Sequence, residues 1–402
     1  MLGGVYVQNN QKDVPSFWGG DTGTNLATLT GWDTNHRCEA IRSFKAYLIA
    51  LNVTKTSTNY ASMVKWSDAA APGAIPSLWA AAADNDAGEV DVAETPDSIV
   101  DGRALGDTFV IYKSASMYAM QYVGGNDIFR FSRLPGDHGM LAQNCAADCP
   151  MGHVVLTASD VIVHNGTGPT SILDSKMRRW LFSQIDSTYA TRSFLVANHA
   201  WSEVWICYPM PGSTACTRAL IWNYKTNTFG VRELPNVTAG DFGPMVATAS
   251  DQWKDDTETW NDDTTTWDQI DISNADKRVL MSSTDSKIYL MDSSQSFAGT
   301  AYTSTLERTG IAFGNPVKSK LIRAIYPRID APTGTQLSIQ VGAAMDAERS
   351  PGWSTAVTYT VGSSYKADVM CAGRFLGLRI SGAAGSWRLK SLDIDFIEQG
   401  VW

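Results

Sequence analysis

The chain has 402 residues, of which 44% are hydrophobic, 14 are tryptophan and only 18% are charged. This supply of apolar and aromatic side chains excludes an intrinsically disordered protein, and the length allows two domains or one repeat domain with an appendage. A formal charge of −9 with no basic run excludes tight wrapping of nucleic acid, which needs Lys and Arg to neutralise phosphates. Passage of DNA along an acidic wall stays open, because repulsion prevents adhesion and not transit.

Six cysteines are scattered along the chain. The first twenty residues hold no basic stretch followed by an apolar core. The longest apolar run, around Tyr47 to Leu51, falls far short of the ~18 residues of a membrane span. The expectation is a protein with no signal peptide and no membrane span, its thiols free in a reducing cytoplasm. The sequons at Asn52, Asn165 and Asn236 then carry no meaning.

Residues 1–40 are rich in Gly, Asn, Thr and Asp, with Trp18 and Trp32 inserted. No period of 2 or 3.6 is sustained, which predicts an N-terminal arm or loop region with at most one strand. An arm packed on a neighbouring subunit has this look, and two tryptophans need somewhere to be buried.

Residues 41–314 read as a β-propeller of about six blades. Phe109-Val110-Ile111-Tyr112 is an apolar strand opening that breaks into Lys113-Ser114-Ala115-Ser116 and resumes at Met117. The same form recurs at residues 154–160, 194–198, 245–250 and 278–283, with an earlier copy at 46–52. Openings from 109 onward lie roughly 45, 40, 50 and 33 residues apart, close to the ~40–50 residue period of a propeller blade. Within this region strands are predicted over 44–53 and 63–66, separated by the turn-rich residues 54–59. Pro72, Gly73 and Pro76 exclude a helix and suggest a rigid excursion ending at Trp79. Residues 80–98 have weak helical propensity broken by Asn85, Gly88 and Pro96. Ser175 to Gln184 is the one short helix, with Met177, Trp180 and Leu181 on one face. Residues 221–224 and 229–232 form a short-loop hairpin across 225–228.

Residues 251–271 hold eight carboxylates against one lysine, with Trp253, Trp260 and Trp267 every seven residues. Thr and Asp runs are poor helix formers, so a looped insertion whose tryptophans plug into a neighbouring blade is expected. Asp255, Asp256, Asp262 and Asp263 would form an acidic patch on that loop or on a channel wall. No spacing here matches an EF-hand loop. Residues 315–402 change character. Strands over 321–328, 336–341, 357–361, 375–380 and 387–396 predict a small antiparallel β-sandwich. In the first of these, Ile322, Ala324 and Tyr326 should face one way and Leu321, Arg323 and Ile325 the other.

For chemistry, Cys145-x3-Cys149-x3-His153 is the best metal candidate, since zinc takes thiolate and imidazole ligands. A fourth ligand would have to come from His138 or His164, and a loop with a buried thiol is the simpler reading. No metal or cofactor site is assigned. Gly-x-Ser-x-Gly, His-Glu-x-x-His and phosphate-cradling Gly-Lys-Ser/Thr motifs are absent. Carboxylates suffice in number for glycoside hydrolysis, and Thr259-Trp260 and Thr266-Trp267 are similar to the end of the sialidase Asp-box. Its Ser-x-Asp-x-Gly portion is missing. No catalytic residue is assigned, and the expectation is a protein that is not an enzyme.

Several stretches together carry a resemblance. They are Val64-Lys65-Trp66-Ser67-Asp68 with the Pro/Gly excursion, residues 106–113, residues 120–129, and Ala219-Leu220-Ile221-Trp222-Asn223-Tyr224. Over roughly residues 40–300 the chain resembles the β-propeller tail nozzle and packaged-DNA stabilisation proteins of short-tailed double-stranded DNA phages. The resemblance implies a structural virion protein of the phage tail, assembled in the host cytoplasm as a ring, a homo-hexamer. Such a ring closes and extends the portal channel, retains packaged DNA and conducts it on infection. The implied partners are other copies of the chain, the portal–adaptor proteins, tail fibres or a tail needle, and double-stranded DNA in transient, non-specific passage. Two rival readings are a receptor- or glycan-binding tail β-propeller using exposed tryptophans, and a glycosidase.

Overall fold

The strand Thr108–Lys113 is apolar from Phe109 to Tyr112 because both of its faces are covered. Successive side chains of a strand point to opposite faces. Phe109 and Ile111 enter one core with Ile49, Leu51 and Val64, while Val110 and Tyr112 enter a second with Val155, Ile162 and Ile206. The strand Glu203–Tyr208 repeats the device: Val204, Ile206 and Tyr208 join the second core, and Trp205 and Cys207 a third. Each such side chain contributes about 1.5–3 kcal/mol of burial, so apolar runs of this kind set the order in which sheets stack. The protein is described from a computed structural model covering residues 2, 4–21, 23–125, 127–246, 272–294, 296–297, 299–383 and 385–401.

The fold is all-β and built of antiparallel sheets made from consecutive strands, in two units, Met1–Met291 and Asp292–Trp402. In the first unit, sheet I comprises His36–Phe44, Tyr47–Lys55, Thr58–Trp66 and Gly88–Asp91. Sheet II comprises Ile99–Leu105, Thr108–Lys113, Met117–Tyr122 and Phe129–Arg133. Sheet III comprises Ala146–Cys149, Gly152–Leu156, Val161–His164 and Thr170–Ser171. Sheet IV has six strands, Phe194–Asn198, Glu203–Tyr208, Cys216–Asn223, Thr228–Val246, Ile272–Ser283 and Ile288–Leu290. Its fourth strand pairs with Cys216–Asn223 along its first half and with Ile272–Ser283 along its second.

Several expectations are corrected here. Residues 1–40 are more than a loop: Tyr6–Gln8, Ser16–Trp18 and Ala27–Thr28 form a three-stranded sheet. Trp32 is buried inside the unit, edge-on to Trp79 at 4.7 Å. The strand expected over 44–53 is interrupted by a turn at Lys45, φ 51°, so Phe44 closes one strand and Tyr47 opens the next. Asn52, φ 54°, forms a bulge held by its amide on the Ile99 carbonyl at 3.1 Å. The bulge moves Val53 to the face of Leu48 and Ala50. The weak helix signal of residues 80–98 yields no helix, and Gly88–Asp91 completes sheet I instead. The acidic segment with Asp255, Asp256, Asp262 and Asp263 lies outside the described residues.

The helix Ser175–Gln184 forms where the sequence places it, its N-terminus capped by the Asp174 carboxylate accepting from Met177 N at 2.7 Å. Leu181 is its buried anchor, with Met177 and Trp180 half-buried against the second core. The hairpin also holds: Asn223 faces Thr228 and Trp222 faces Phe229 across a turn with Asn227 at φ 51°.

The second unit has two sheets. One runs Ser304–Ile311, Phe375–Gly382, Gln336–Ala344 and Gly352–Trp353, with Val357–Thr360 also on Gln336–Ala344; the other runs Ala367–Gly373, Lys318–Asp330 and Arg388–Val401. Both feed one core, which holds Ile322 and Ile325 from one sheet and Ile339, Val341 and Ile380 from the other. Strict alternation would put Ile322 and Ile325 on opposite faces. A bulge between Ile322 and Ala324 brings both to the core and leaves Arg323 outside. Strand Ser304–Ile311 begins before residue 315, where the sequence change had suggested the sandwich starts.

Candidate functional site

The first unit holds an open cavity of about 1000 Å³. Its walls come from Tyr6–Gln8, His36–Phe44, Ile99–Leu105, Ala146–Cys149, Phe194–Asn198 and the middle of Thr228–Val246. The first five are edge strands of their sheets. A sheet edge presents unpaired backbone groups that need partners, and here side chains supply them. Asn9 donates its amide to the carbonyls of Cys38 (2.8 Å) and Glu39 (3.1 Å), and Gln143 adds a bond to Glu39 at 2.7 Å. Arg103 reaches the Ala146 carbonyl at 3.2 Å.

Two guanidinium–carboxylate pairs tie neighbouring sheets together in this cavity. Arg42 of sheet I grips Asp101 of sheet II with two bonds of 2.7 Å and adds Asn144 Oδ1 at 2.8 Å. Asp101 is buried and also accepts from Gly102 N and Asn144 N. Arg103 of sheet II holds Asp148 of sheet III with bonds of 2.7 and 2.9 Å. Burial alone would raise the Asp148 carboxyl, but hydrogen bonds from His153 and Arg103 and the Arg103 charge hold it well below the usual carboxylate range. Asp241 and Glu39 line the same space and have no cation partner among the described residues. Four carboxylates therefore outnumber two guanidiniums, and the cavity is acidic.

Behind the wall, Tyr112 of sheet II places its hydroxyl 2.7 Å from His153 Nδ1 and 2.7 Å from His164 Nε2, both in sheet III. His153 Nε2 lies 2.9 Å from the Ala104 carbonyl and 3.2 Å from Asp148 Oδ1. The two histidines face each other across adjacent strands. All three side chains are buried. Burial, followed by the proximity of His153, pushes His164 down to about 4.

This placement overturns the zinc reading. Cys145 is buried with its thiol on the Ser193 carbonyl at 3.1 Å, and Cys149 closes the strand Ala146–Cys149 that follows it. His153 is engaged by Tyr112, Ala104 and Asp148, and His164 by Tyr112. Among the described residues no three His, Cys, Asp or Glu side chains are grouped to hold a metal ion. The cavity residues Arg42, Asp101, Arg103 and Asp148 escaped the sequence reading, since a polar residue on a strand reads as solvent-facing. The one available signal was Asp-Gly-Arg at 101–103, two opposite charges flanking glycine inside a strand.

No protein-family model matches the chain, and no curated protein does. Solved structures similar to it include an extracellular domain from B. thetaiotaomicron described as part of a hybrid two-component system, at 10% identity and a TM-score of 0.37. The alignment covers 91% of this chain and 44% of that one, so the chain spans less than half of its length. The Synechocystis apocarotenoid oxygenase matches at 12% identity and a TM-score of 0.35, over 72% of this chain and 65% of that chain. An exo-β-1,3-galactanase from Phanerochaete chrysosporium matches at 9% identity and 0.30, over 98% and 94%. Likenesses this slight carry no argument about activity.

Proposed function

We propose that residues 1–291 form a β-propeller and that the protein is a structural component of a phage tail, a nozzle or head-to-tail stabilising ring. The observation that carries this reading is the cavity: six strand segments from five sheets line it, two of them from sheet IV, and its two arginines are held by carboxylates of the chain itself. Radial placement of consecutive meander sheets is the arrangement of propeller blades, and cross-sheet bracing suits a load-bearing scaffold. The resemblance over roughly residues 40–300 supplies the tail assignment, with a homo-hexameric ring on the portal–adaptor stack through which DNA is retained and then passed. The acidic composition fits passage of DNA without adhesion. Light scattering of the protein alone and after mixing with its portal–adaptor complex tests the proposal. A rise to a ring of about six copies on the portal is expected; a monomer indifferent to the portal would sink it.

A second reading, a glycan-binding tail propeller, is favoured by Glu39 and Asp241, which line the cavity without a cation partner among the described residues and offer carboxylate oxygens to sugar hydroxyls, one Asp241 oxygen already accepting from Phe242 N. Titration with a broad glycan panel, read by tryptophan fluorescence, separates the two. Saturable binding lost in Asp241→Asn supports this reading, and a flat response removes it.

A further inference from the structure

We infer that Tyr112, His153 and His164 form a proton-operated joint between sheets II and III, closed while both imidazoles are neutral and opened when His164 takes up a proton. The proton positions follow from the partners. His153 Nε2 faces two acceptors, the Ala104 carbonyl and Asp148, so it carries the hydrogen and Nδ1 is bare. Tyr112 then donates its single hydroxyl hydrogen to His153 Nδ1 and accepts from His164 Nε2. His164 Nδ1 is left as a bare lone pair, buried and without a partner.

That last atom makes the joint responsive. A proton can enter directly at His164 Nδ1, or at His153 Nδ1 if the Tyr112 hydroxyl turns to donate to His164 Nε2. The second route forces the His164 hydrogen from Nε2 to Nδ1. Either way an N–H appears at His164 Nδ1, where the buried surroundings offer no acceptor, and an unmatched buried donor is strongly disfavoured. The unmatched N–H is satisfied when His164 swings away from Tyr112 to reach water, which breaks the Tyr112 link between the sheets. The charged groups facing the joint are Asp148 on the first strand of sheet III, and Arg103 and Asp101 on the first strand of sheet II. Asp148 lies 3.2 Å from His153 Nε2 and is held by Arg103. None of these groups makes a hydrogen bond to His164, whose ring nitrogens have Tyr112 alone. The depressed affinity of His164 for a proton agrees with this order of events.

The test uses the full-length protein. Nitrogen-15 spectra of the imidazoles near pH 7 should show both histidines hydrogenated at Nε2; a hydrogen on His164 Nδ1 at that pH would overturn the proposal without any variant. Hydrogen exchange followed as pH is lowered should show residues 108–113 and 152–164 losing protection together, at least tenfold, with a midpoint near 4, while residues 47–55 stay protected. His164→Gln keeps an amide donor toward Tyr112 and removes the titration, so it should abolish this opening. Opening of His164→Gln at the wild-type midpoint, or wild-type His164 titrating in the ordinary histidine range with unchanged exchange, would overturn it.

Discussion

Asp101 and Asp148 look alike in sequence and are held alike by arginine, yet their surroundings differ. The Asp101 side chain is 5% exposed and accepts from a guanidinium and two backbone amides, whereas that of Asp148 is 51% exposed. Removing a buried acceptor strands its donors, and removing an exposed one lets water replace it. Asp101→Ala should therefore destabilise by about 2–4 kcal/mol and Asp148→Ala by about 1 kcal/mol or less, measured by urea unfolding; the reverse order would contradict this account of the cavity. Histidine sets the acid limit. The His164 value in the folded chain lies near 4, below the ordinary 6.5, so the unfolded chain binds the proton more readily between those values. Its contribution to stability is complete above about pH 6.5 and is lost as pH falls toward 4. Thermal melts should show the midpoint dropping across that window in the wild type and dropping less in His164→Gln.

Sheet III depends on the turn that returns Ala146–Cys149 into Gly152–Leu156. Gly152 sits there at φ 122°, and a Cβ on it would lie 2.1 Å from the His164 carbonyl oxygen. Backbone cannot move aside as a side-chain tip can, so Gly152→Ala should cost about 3 kcal/mol or more, whereas Gly243→Ala, with open space around it, should be near neutral; paired thermal melts decide. The elements whose signals are local were legible in the sequence. Helix Ser175–Gln184 follows from Met177, Trp180 and Leu181 falling on one face, and the hairpin at Asn223–Thr228 from its flanking apolar runs. Features set by distant partners were not. The bulges at Asn52 and Arg323 reverse which residues are inward, and the pairs that brace the cavity join residues 59 and 45 positions apart. The opening motif also mixes strand positions: Phe109 and Val154 lie on second strands of their sheets, Phe194 on a first strand. Apolar density marks any strand covered on both faces, whatever its place in the sheet.

At the scale of the molecule, the two units have separate cores, and the second is centred on Ile339, fully buried between its sheets. Ile339→Ala should destabilise that unit by about 2–5 kcal/mol. Hydrogen exchange should rise across residues 337–380 and stay unchanged across residues 47–66, because Ile339 packs within the second unit's own core and sites without shared partners act independently. The strand Thr228–Val246 has a further consequence. Its two halves belong to different ladders, one with Cys216–Asn223 and one with Ile272–Ser283. Tension applied along this strand is therefore carried in series by both ladders and loads their hydrogen bonds in shear, so that many must yield at once instead of peeling one by one. The strand is a mechanical clamp, and the first unit should resist a pull along that axis far better than a pull across it.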